Sequence, residues 1–129
     1  DLFAGCGTLG IEALSRGAQA VTFVDAASLS IRAIEKNILS LNAGDHVKII
    51  RSDARVFVQK STREYDVIFM DPPYNKGLAS ETAPHVYKLL KTGGVLVIEH
   101  SPHEHIPVQP WKTRTYGDTV ITYCIKGAS

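Results

Sequence analysis

Short apolar runs and helical segments alternate along most of this chain. The apolar runs predict strands at 20–25, 47–50, 65–70 and 95–99. Helical spacing predicts one helix that ends near residue 16, a second that ends at 42–45, a third at 54–60 and a fourth at roughly 81–91. Strand–helix alternation repeated four times is typical of a parallel sheet with helices on both faces. Two further runs, Lys112–Tyr116 and Thr119–Ile125, flank a two-residue turn and predict an antiparallel hairpin. We therefore expect an α/β fold: a Rossmann-like, doubly wound, mostly parallel sheet with a C-terminal antiparallel hairpin.

The size and composition of the chain fit one globular domain comprising residues 1–129. It has 129 residues, of which 44% are hydrophobic and 21% charged. No apolar run approaches the roughly 18 residues of a membrane span. Its two cysteines, Cys6 and Cys124, are far apart, which argues against a disulfide framework and favours a reducing cytoplasm. The formal net charge of +1 neither indicates nor excludes a nucleic-acid partner.

A glycine-rich turn lies near the start of the chain, between the end of a strand, Asp1-Leu2-Phe3, and a helix. Residues Gly5 to Gly10 match the pattern G-x-G-x-x-G, which allows a tight turn and lets backbone amides approach a ligand. Asp25 ends the next strand about 20 residues later and could accept hydrogen bonds from both hydroxyls of a ribose, or cap a helix. Asp53 follows the third strand and could cap the helix that begins at Ala54 or lie near an adenine ring.

Two classes of cofactor use this layout, the nicotinamide dinucleotides and S-adenosylmethionine. Asp1 lies just before the turn, where its charge would repel the pyrophosphate of a dinucleotide but could favour a cationic ligand. No lysine or arginine between Asp1 and Ile11 offsets that charge. The residues around the turn therefore favour S-adenosylmethionine.

The tetrapeptide Asp71-Pro72-Pro73-Tyr74 follows the fourth strand, at the sheet edge where open α/β sheets bind ligands. The two prolines give the chain a stiff, extended exit that fixes Asp71 and Tyr74 in position. An exocyclic base amine is a poor nucleophile, because its lone pair is delocalised into the ring. The Asp71 carboxylate and the Pro72 carbonyl, directed by Pro73, could accept its two N–H groups; Asp71 could instead act as a general base. Tyr74 could stack on a flipped-out base.

The glycine turn, Val24-Asp25 and Asp71–Tyr74 together resemble the class I S-adenosylmethionine-dependent amino-methyltransferases. Residues 2–18, which include Gly-Ile-Glu-Ala-Leu-Ser-Arg-Gly-Ala, are more narrowly similar to the RsmD-type bacterial methyltransferases. The resemblance covers essentially the whole chain and implies the class I methyltransferase fold. It also implies S-adenosylmethionine as cofactor and methylation of the N2 amine of a guanine in 16S ribosomal RNA, guanine 966 where the family target holds.

The same resemblance implies roles for individual residues. The expected cofactor site comprises Asp1 and the residues that match the family motifs, namely Ala4, Gly5, Gly7, Asp25, Asp53 and Ala54. The methionine end would lie at the turn, the ribose at Asp25 and the adenine at Asp53 and Ala54. The expected catalytic residues, which would receive the guanine, are Asp71, Pro72, Pro73 and Tyr74. Because family members carry a basic segment before Asp-Leu-Phe-Ala-Gly, we expect this chain to be truncated at its N-terminus.

Two other functions fit parts of the pattern. The tetrapeptide serves any exocyclic amine, so an adenine-N6 methyltransferase acting on DNA or RNA is an alternative. The chain has no room for a DNA target-recognition domain, which argues against DNA. A catalytically silent module that binds nucleotides or RNA is the other alternative, but it would not need both Asp25 and Asp71–Tyr74. We expect a monomer that acts on 16S ribosomal RNA, naked or in the assembling small subunit.

The remaining candidates receive structural interpretations. His100, His103 and His105, with Glu99 and Glu104, lie in a proline-rich loop, so we expect surface histidines and no metal site. Cys6 lies in the expected cofactor turn, which argues against a catalytic thiol. A basic stretch could contact phosphates or form a solvated helix face; it comprises Arg51, Arg55, Lys60 and Arg63. We expect Trp111 to be a core or edge-packing residue.

Overall fold

The chain folds into alternating strands and helices in the computed structural model, which describes residues 1–42 and 44–127. The elements are α1 (Thr8–Ser15), β1 (Val21–Asp25), α2 (Ser28–Leu41), β2 (Val47–Arg51), α3 (Ala54–Lys60), β3 (Tyr65–Met70), α4 (Leu78–Tyr87), β4 (Leu90–His100), β5 (Lys112–Tyr116) and β6 (Thr119–Ile125). The predicted α/β fold, with parallel pairs and a C-terminal hairpin, is confirmed. Across the described ranges, no helix has the length and apolar character needed to cross a membrane.

The chain divides into two compact units, Asp1–Phe57 and Val58–Ser129, and the single domain stays a prediction. In the first unit β1 and β2 pair in parallel, from Val21 opposite Val47 to Asp25 opposite Arg51. Leu2 forms an isolated parallel bridge with Val24 of β1. The chain around Leu2 therefore lies beside β1, as expected for a strand end.

The core of the first unit lies between β1 and α2. Its fully enclosed side chains are Phe23, Ile34 and Ile38. Gly10 explains how α1 joins this core, because a Cβ there would lie 2.3 Å from Phe23 Cε1. The third glycine of the turn therefore permits close helix–strand packing.

α2 ends where the sequence predicts. Its C-cap residue, Asn42, adopts the left-handed conformation with φ 55°, which asparagine tolerates better than most residues. A short 3-10 turn, Gly44–His46, then leads into β2. Ala43, part of the predicted helix stop, lies outside the described residues.

The second unit contains a four-stranded sheet in the order β3-β4-β6-β5. β3 and β4 are parallel, whereas β6 runs antiparallel to both β4 and β5. One face of β4 and β6 is buried and consists of Leu96, Ile98, His100, Val120, Thr122 and Cys124. The alternate residues, among them Glu99 and Thr119, are only partly buried and form the opposite face.

The predicted boundary between α4 and β4 is wrong. The sequence predicts a helix to about residue 91 and a strand from 95, but the helix ends at Tyr87 and β4 begins at Leu90. The cause is tertiary pairing. Gly93 N donates to Lys126 O at 2.8 Å and Lys126 N to Gly94 O at 3.0 Å, which draws the glycine pair into the sheet. Gly93 has φ 82°, and the β3–β4 register shifts beside it, as expected of a bulge.

Candidate functional site

The glycine turn combines one tightly packed glycine with one open glycine. Both adopt the left-handed conformation, Gly5 with φ 59° and Gly7 with φ 86°. A Cβ on Gly7 would lie 3.1 Å from Phe23 Cε1, whereas a Cβ on Gly5 would meet nothing within 4 Å. Gly7 therefore fixes the turn against β1, and Gly5 presents backbone that a ligand can approach. Ala4 is tied to β1 by its amide, which donates to Val24 O at 3.0 Å.

Two carboxylates hold this turn through backbone amides. Asp25 Oδ2 accepts from Gly5 N and its Oδ1 from Ala27 N, both at 2.9 Å. Asp1 Oδ2 accepts from Gly10 N at 3.0 Å, in the first turn of α1. Each Asp25 oxygen keeps a second lone pair, so its capping role leaves room for ribose hydroxyls. Asp1 already places a negative charge at the helix N-terminus, which makes that end less suitable for a pyrophosphate.

Asp53 caps α3, one of the two roles that the sequence allows. Its Oδ1 accepts from Arg55 N at 2.8 Å, and its carboxylate forms an ion pair with the Arg55 guanidinium, with Nη2 3.0 Å from Oδ2. The hydrogen bond from the Arg55 side chain holds the pKa of Asp53 below its ordinary value. Ala54, the first residue of α3, is buried. These contacts leave the proposed adenine role untested.

In the second unit, Asp71-Pro72-Pro73-Tyr74 leaves the sheet at the end of β3. Pro72 is fully buried, whereas Asp71 and Pro73 are exposed. No other described residue forms a hydrogen bond or ion pair with the Asp71 carboxylate. Its partial desolvation, together with the nearby charge of Glu99, raises the pKa of Asp71. This acid is therefore easier to protonate than an ordinary aspartate.

Hydrogen bonds at its hydroxyl fix the direction of the Tyr74 side chain. Tyr74 Oη donates to Glu99 Oε1 at 3.0 Å and lies 3.2 Å from Thr119 Oγ1. Burial raises the pKa of the Tyr74 phenol, so the group remains a neutral donor. The ring is only partly buried, which leaves surface on which a planar base could stack.

Glu99 and Thr119 are the residues of this site that sequence reasoning missed. The β3–β4 register sets Met70 opposite Ile98, and the next residues along the chain are Asp71 and Glu99, whose charge acts on the Asp71 carboxyl. The sequence analysis groups Glu99 only with the nearby histidines. Its position near the carboxyl end of a predicted strand, like that of Asp71, is a signal that could have placed it at the site. Nothing in the sequence points to Thr119.

The loop that follows Tyr74 is clamped to the loop that follows β4. Ser101 Oγ donates to Asn75 Oδ1 at 2.6 Å, and Glu104 Oε1 accepts from Asn75 N and Ser101 N at 3.2 and 3.1 Å. Asn75 itself adopts the left-handed conformation, with φ 59°. These bonds hold the exit from the tetrapeptide in one conformation.

The structure contradicts one interpretation of a single residue and narrows another, that of Trp111 as a core or edge-packing residue. His100 is buried rather than at the surface, because its ring nitrogens bond Ser101 O at 2.9 Å and Thr122 Oγ1 at 2.7 Å. His103 and His105 are exposed, as expected. Trp111 is 65% exposed and so does not belong to the core. Within the described ranges, no cluster of histidine, cysteine or acidic residues could hold a metal ion.

The basic stretch is partly engaged within the protein. Arg55 pairs with Asp53, and Arg51 Nε donates to Ala26 O at 3.2 Å. The Arg63 guanidinium lies 5.7 Å from the centre of the Tyr65 ring. A phosphate-binding role for this stretch stays a prediction.

Comparison with known proteins gives a consistent result. The family model described as conserved hypothetical protein 95 matches residues 1–125. The chain is similar to proteins named ribosomal RNA small subunit methyltransferase D. The protein of Buchnera aphidicola (Acyrthosiphon pisum) is 37% identical over 84% of this chain and 58% of its own length. The protein of Escherichia coli K12 is 35% identical over 77% of this chain and 48% of its own length.

A solved structure supports the same fold. An RNA methyltransferase from Salinibacter ruber, crystallised with S-adenosyl-L-homocysteine, superposes with a TM-score of 0.78. It covers 100% of this chain and 80% of that protein, at 14% identity, and so shows the class I fold alone. The chain spans between about half and two thirds of the length of the curated relatives it matches.

Proposed function

Because the chain belongs to the family described as conserved hypothetical protein 95, the RsmD-type methyltransferases, we propose that it methylates the N2 amine of a guanine in 16S ribosomal RNA. The methyl donor is S-adenosylmethionine. The observation that carries this proposal is the family match over residues 1–125, which includes the whole Asp71–Tyr74 tetrapeptide. We expect a monomer that acts in the cytoplasm, on naked RNA or on the assembling small subunit.

The donor site, in this proposal, is the glycine turn with the acid that ends β1 and the acid that follows β2. Gly5 offers open backbone to the methionine end, and Asp1 supplies negative charge near the sulfonium. Asp25 binds the ribose with the lone pairs that its two amide contacts leave free. Asp53 and Ala54 contact the adenine, with the Asp53 carboxylate held in place by Arg55.

The acceptor site is the tetrapeptide after β3. The Asp71 carboxylate and the Pro72 carbonyl accept the two N–H groups of the amine, which directs its lone pair away from the ring. The lack of any other partner for Asp71 among the described residues supports this role. The Tyr74 ring, held by Glu99 and Thr119, stacks on the extruded base and offsets part of the cost of unstacking it.

When bound, S-adenosylmethionine supplies an activated methyl group. An amine held by Asp71 and Pro72 would receive that methyl group and would give up one proton. Asp71 can take it, because its raised pKa makes this carboxylate a better proton acceptor than an ordinary aspartate.

The decisive experiment maps the methylated nucleoside. The protein is incubated with labelled S-adenosylmethionine and 16S ribosomal RNA, naked or in small-subunit particles, and the digested RNA is analysed by mass spectrometry. We expect N2-methylguanosine at a single position. N6-methyladenosine would instead assign the adenine activity, and S-adenosylmethionine that fails to raise the melting temperature would overturn the cofactor assignment.

A further inference from the structure

The outer strand of the second unit carries a polar and aromatic face that the acceptor site does not use. All residues of β5 are exposed, in the order Lys112, Thr113, Arg114, Thr115 and Tyr116. Side chains alternate along a strand, so the first, third and fifth share one side of the sheet. We call Lys112, Arg114 and Tyr116 the β5 face.

Strand register shows which side of the sheet this is. Arg114 pairs with Ile121 of β6, and Ile121 pairs with Glu99 of β4. Residues directly opposite one another share a face, so Glu99, Ile121 and Arg114 form one row across β4, β6 and β5. β3 ends at Met70, opposite Ile98, and Asp71 is the next residue along the chain, near enough to Glu99 for that charge to raise the pKa of Asp71. At about 4.8 Å per strand, Arg114 lies roughly 10 Å from Glu99.

A second row links the same face to the stacking tyrosine. Tyr116 pairs with Thr119, and the Thr119 hydroxyl lies 3.2 Å from Tyr74 Oη. Tyr116 is 56% exposed, so its ring is available to a ligand. The β5 face is thus continuous with the side chains that hold Tyr74.

On this side of the sheet, the strands carry acids at one end and cations at the other. The acids Asp71 and Glu99 lie at the β3–β4 end, where the amine is expected. The cations Lys112 and Arg114 lie at the β5 end, and neither forms an ion pair with any described residue. Phosphates attract unpaired cations, and exposed aromatic rings stack on bases in single strands.

We propose that the β5 face binds the RNA strand beside the target nucleotide, with Lys112 and Arg114 on phosphates and Tyr116 against a flanking base. This inference rests on the proposed function, because it assumes an RNA substrate at Asp71–Tyr74. Cations on an edge strand also discourage pairing with other chains. A cation on either side of β5 would discourage such pairing, whereas RNA binding requires the cation on the β5 face. The side on which the cation lies therefore distinguishes the two roles.

The test is a swap between the two sides of β5. Arg114→Thr combined with Thr115→Arg keeps composition and net charge but moves the cation to the other side. We measure KM and kcat on 16S ribosomal RNA, and the dependence of RNA affinity on salt. We expect Lys112→Gln/Arg114→Gln to raise KM about tenfold at low salt, with kcat retained and the salt slope reduced by about 0.7 per lost phosphate.

The swap should behave as the loss of Arg114 does. A swap with the KM of the wild type, or a double variant with unchanged KM, would overturn the inference. Tyr116→Ala should weaken RNA binding about fivefold without changing the salt slope, whereas Tyr116→Phe retains binding. An unchanged rise in melting temperature with S-adenosylmethionine shows that each variant is folded. Wild-type protein that fails to methylate ribosomal RNA would overturn the proposed function itself.

Discussion

The acids of the two units are held in opposite ways. Asp1, Asp25 and Asp53, in the first unit, each accept at least one backbone amide and so fix the turns in which they lie. The Asp71 carboxylate, in the second unit, bonds to no other described residue, and its pKa is raised, whereas the pKa of Asp53 is lowered. The rigid part of the second site is instead Tyr74, bonded through its hydroxyl to Glu99 and Thr119.

This difference matches what the proposed methyl transfer would require of a cofactor site and of an acceptor site. A cofactor site must present a fixed set of acceptors to a ligand that is the same in every turnover. An acceptor site must leave one group free for the N–H bonds that change during the reaction. A satisfied carboxylate suits the first task and an unsatisfied one the second.

Asp71→Asn should have the largest effect, because it removes the free carboxylate while keeping its shape. We expect methyl transfer to fall by about a hundredfold or more, with S-adenosylmethionine still raising the melting temperature. The measurement is single-turnover methyl transfer. Asp66→Asn is a matched control, since Asp66 lies on β3, is largely exposed and, among the described residues, pairs only with Lys91. Equal activity of both variants would remove Asp71 from the mechanism.

Asp25→Ala should act on stability instead. It removes the acceptor for the amides of Gly5 and Ala27, and hydrogen bonds to a charged group in a half-buried site predict a loss of about 2 kcal/mol. Differential scanning calorimetry should show a melting temperature lower by about 5–10 °C, and the shift with S-adenosylmethionine should vanish. Asp25→Asn keeps one acceptor, so its melting temperature should lie between those of the wild type and Asp25→Ala. A melting temperature unchanged in Asp25→Ala would break the contrast between the units.

Two variants of Tyr74 distinguish the contribution of its ring to stacking from that of its hydroxyl to hydrogen bonding. Tyr74→Ala should reduce kcat/KM for RNA on the order of tenfold, since the stacking surface is lost. Tyr74→Phe keeps the ring but loses the bonds to Glu99 and Thr119, so we expect a decrease of a few-fold. Thr119→Val, which removes one partner of the hydroxyl, is the control. If phenylalanine and alanine reduced the rate equally, orientation by Glu99 would matter and stacking would not.

The parts of the fold predicted correctly are those with local signals. α3, β3 and both hairpin strands occupy the predicted residues. β3 and β6 carry apolar patterns, whereas β5 is recognisable by the two-residue turn that joins it to β6. The α4–β4 boundary fails for the opposite reason. Residues 90–94 look like the end of a helix, but pairing of Gly93 and Gly94 with Lys126 draws them into the sheet. No local pattern encodes a contact with a residue so distant in sequence.

The same limit applies to the candidate site. Gly5 and Asp25 are recognisable because a known spacing links them, and the structure joins them by a hydrogen bond. The partners of Tyr74 lie 25 and 45 residues further along the chain, and no spacing rule connects them. His100 shows a related failure, since only the sheet register reveals that it points into the buried face.

The smallest expected effect is a change in melting temperature that has opposite signs for substitutions of Asp53 and Asp71. The pKa of Asp53 is lowered from 3.8 in the folded protein, so Asp53 contributes stability above that value and loses it as pH falls through the folded pKa. The pKa of Asp71 is raised, so its favourable contribution is present below 3.8 and is lost as pH rises through the folded pKa. Asp53→Asn should therefore lower the melting temperature at pH 7, and Asp71→Asn should raise it. Solvent screening limits each shift to about a degree. In melting curves recorded from pH 3 to 7, the Asp71 difference should vanish below 3.8, and the Asp53 difference should decrease as the pH falls below 3.8. Shifts of the same sign at pH 7 would mean that the two carboxylates are held alike.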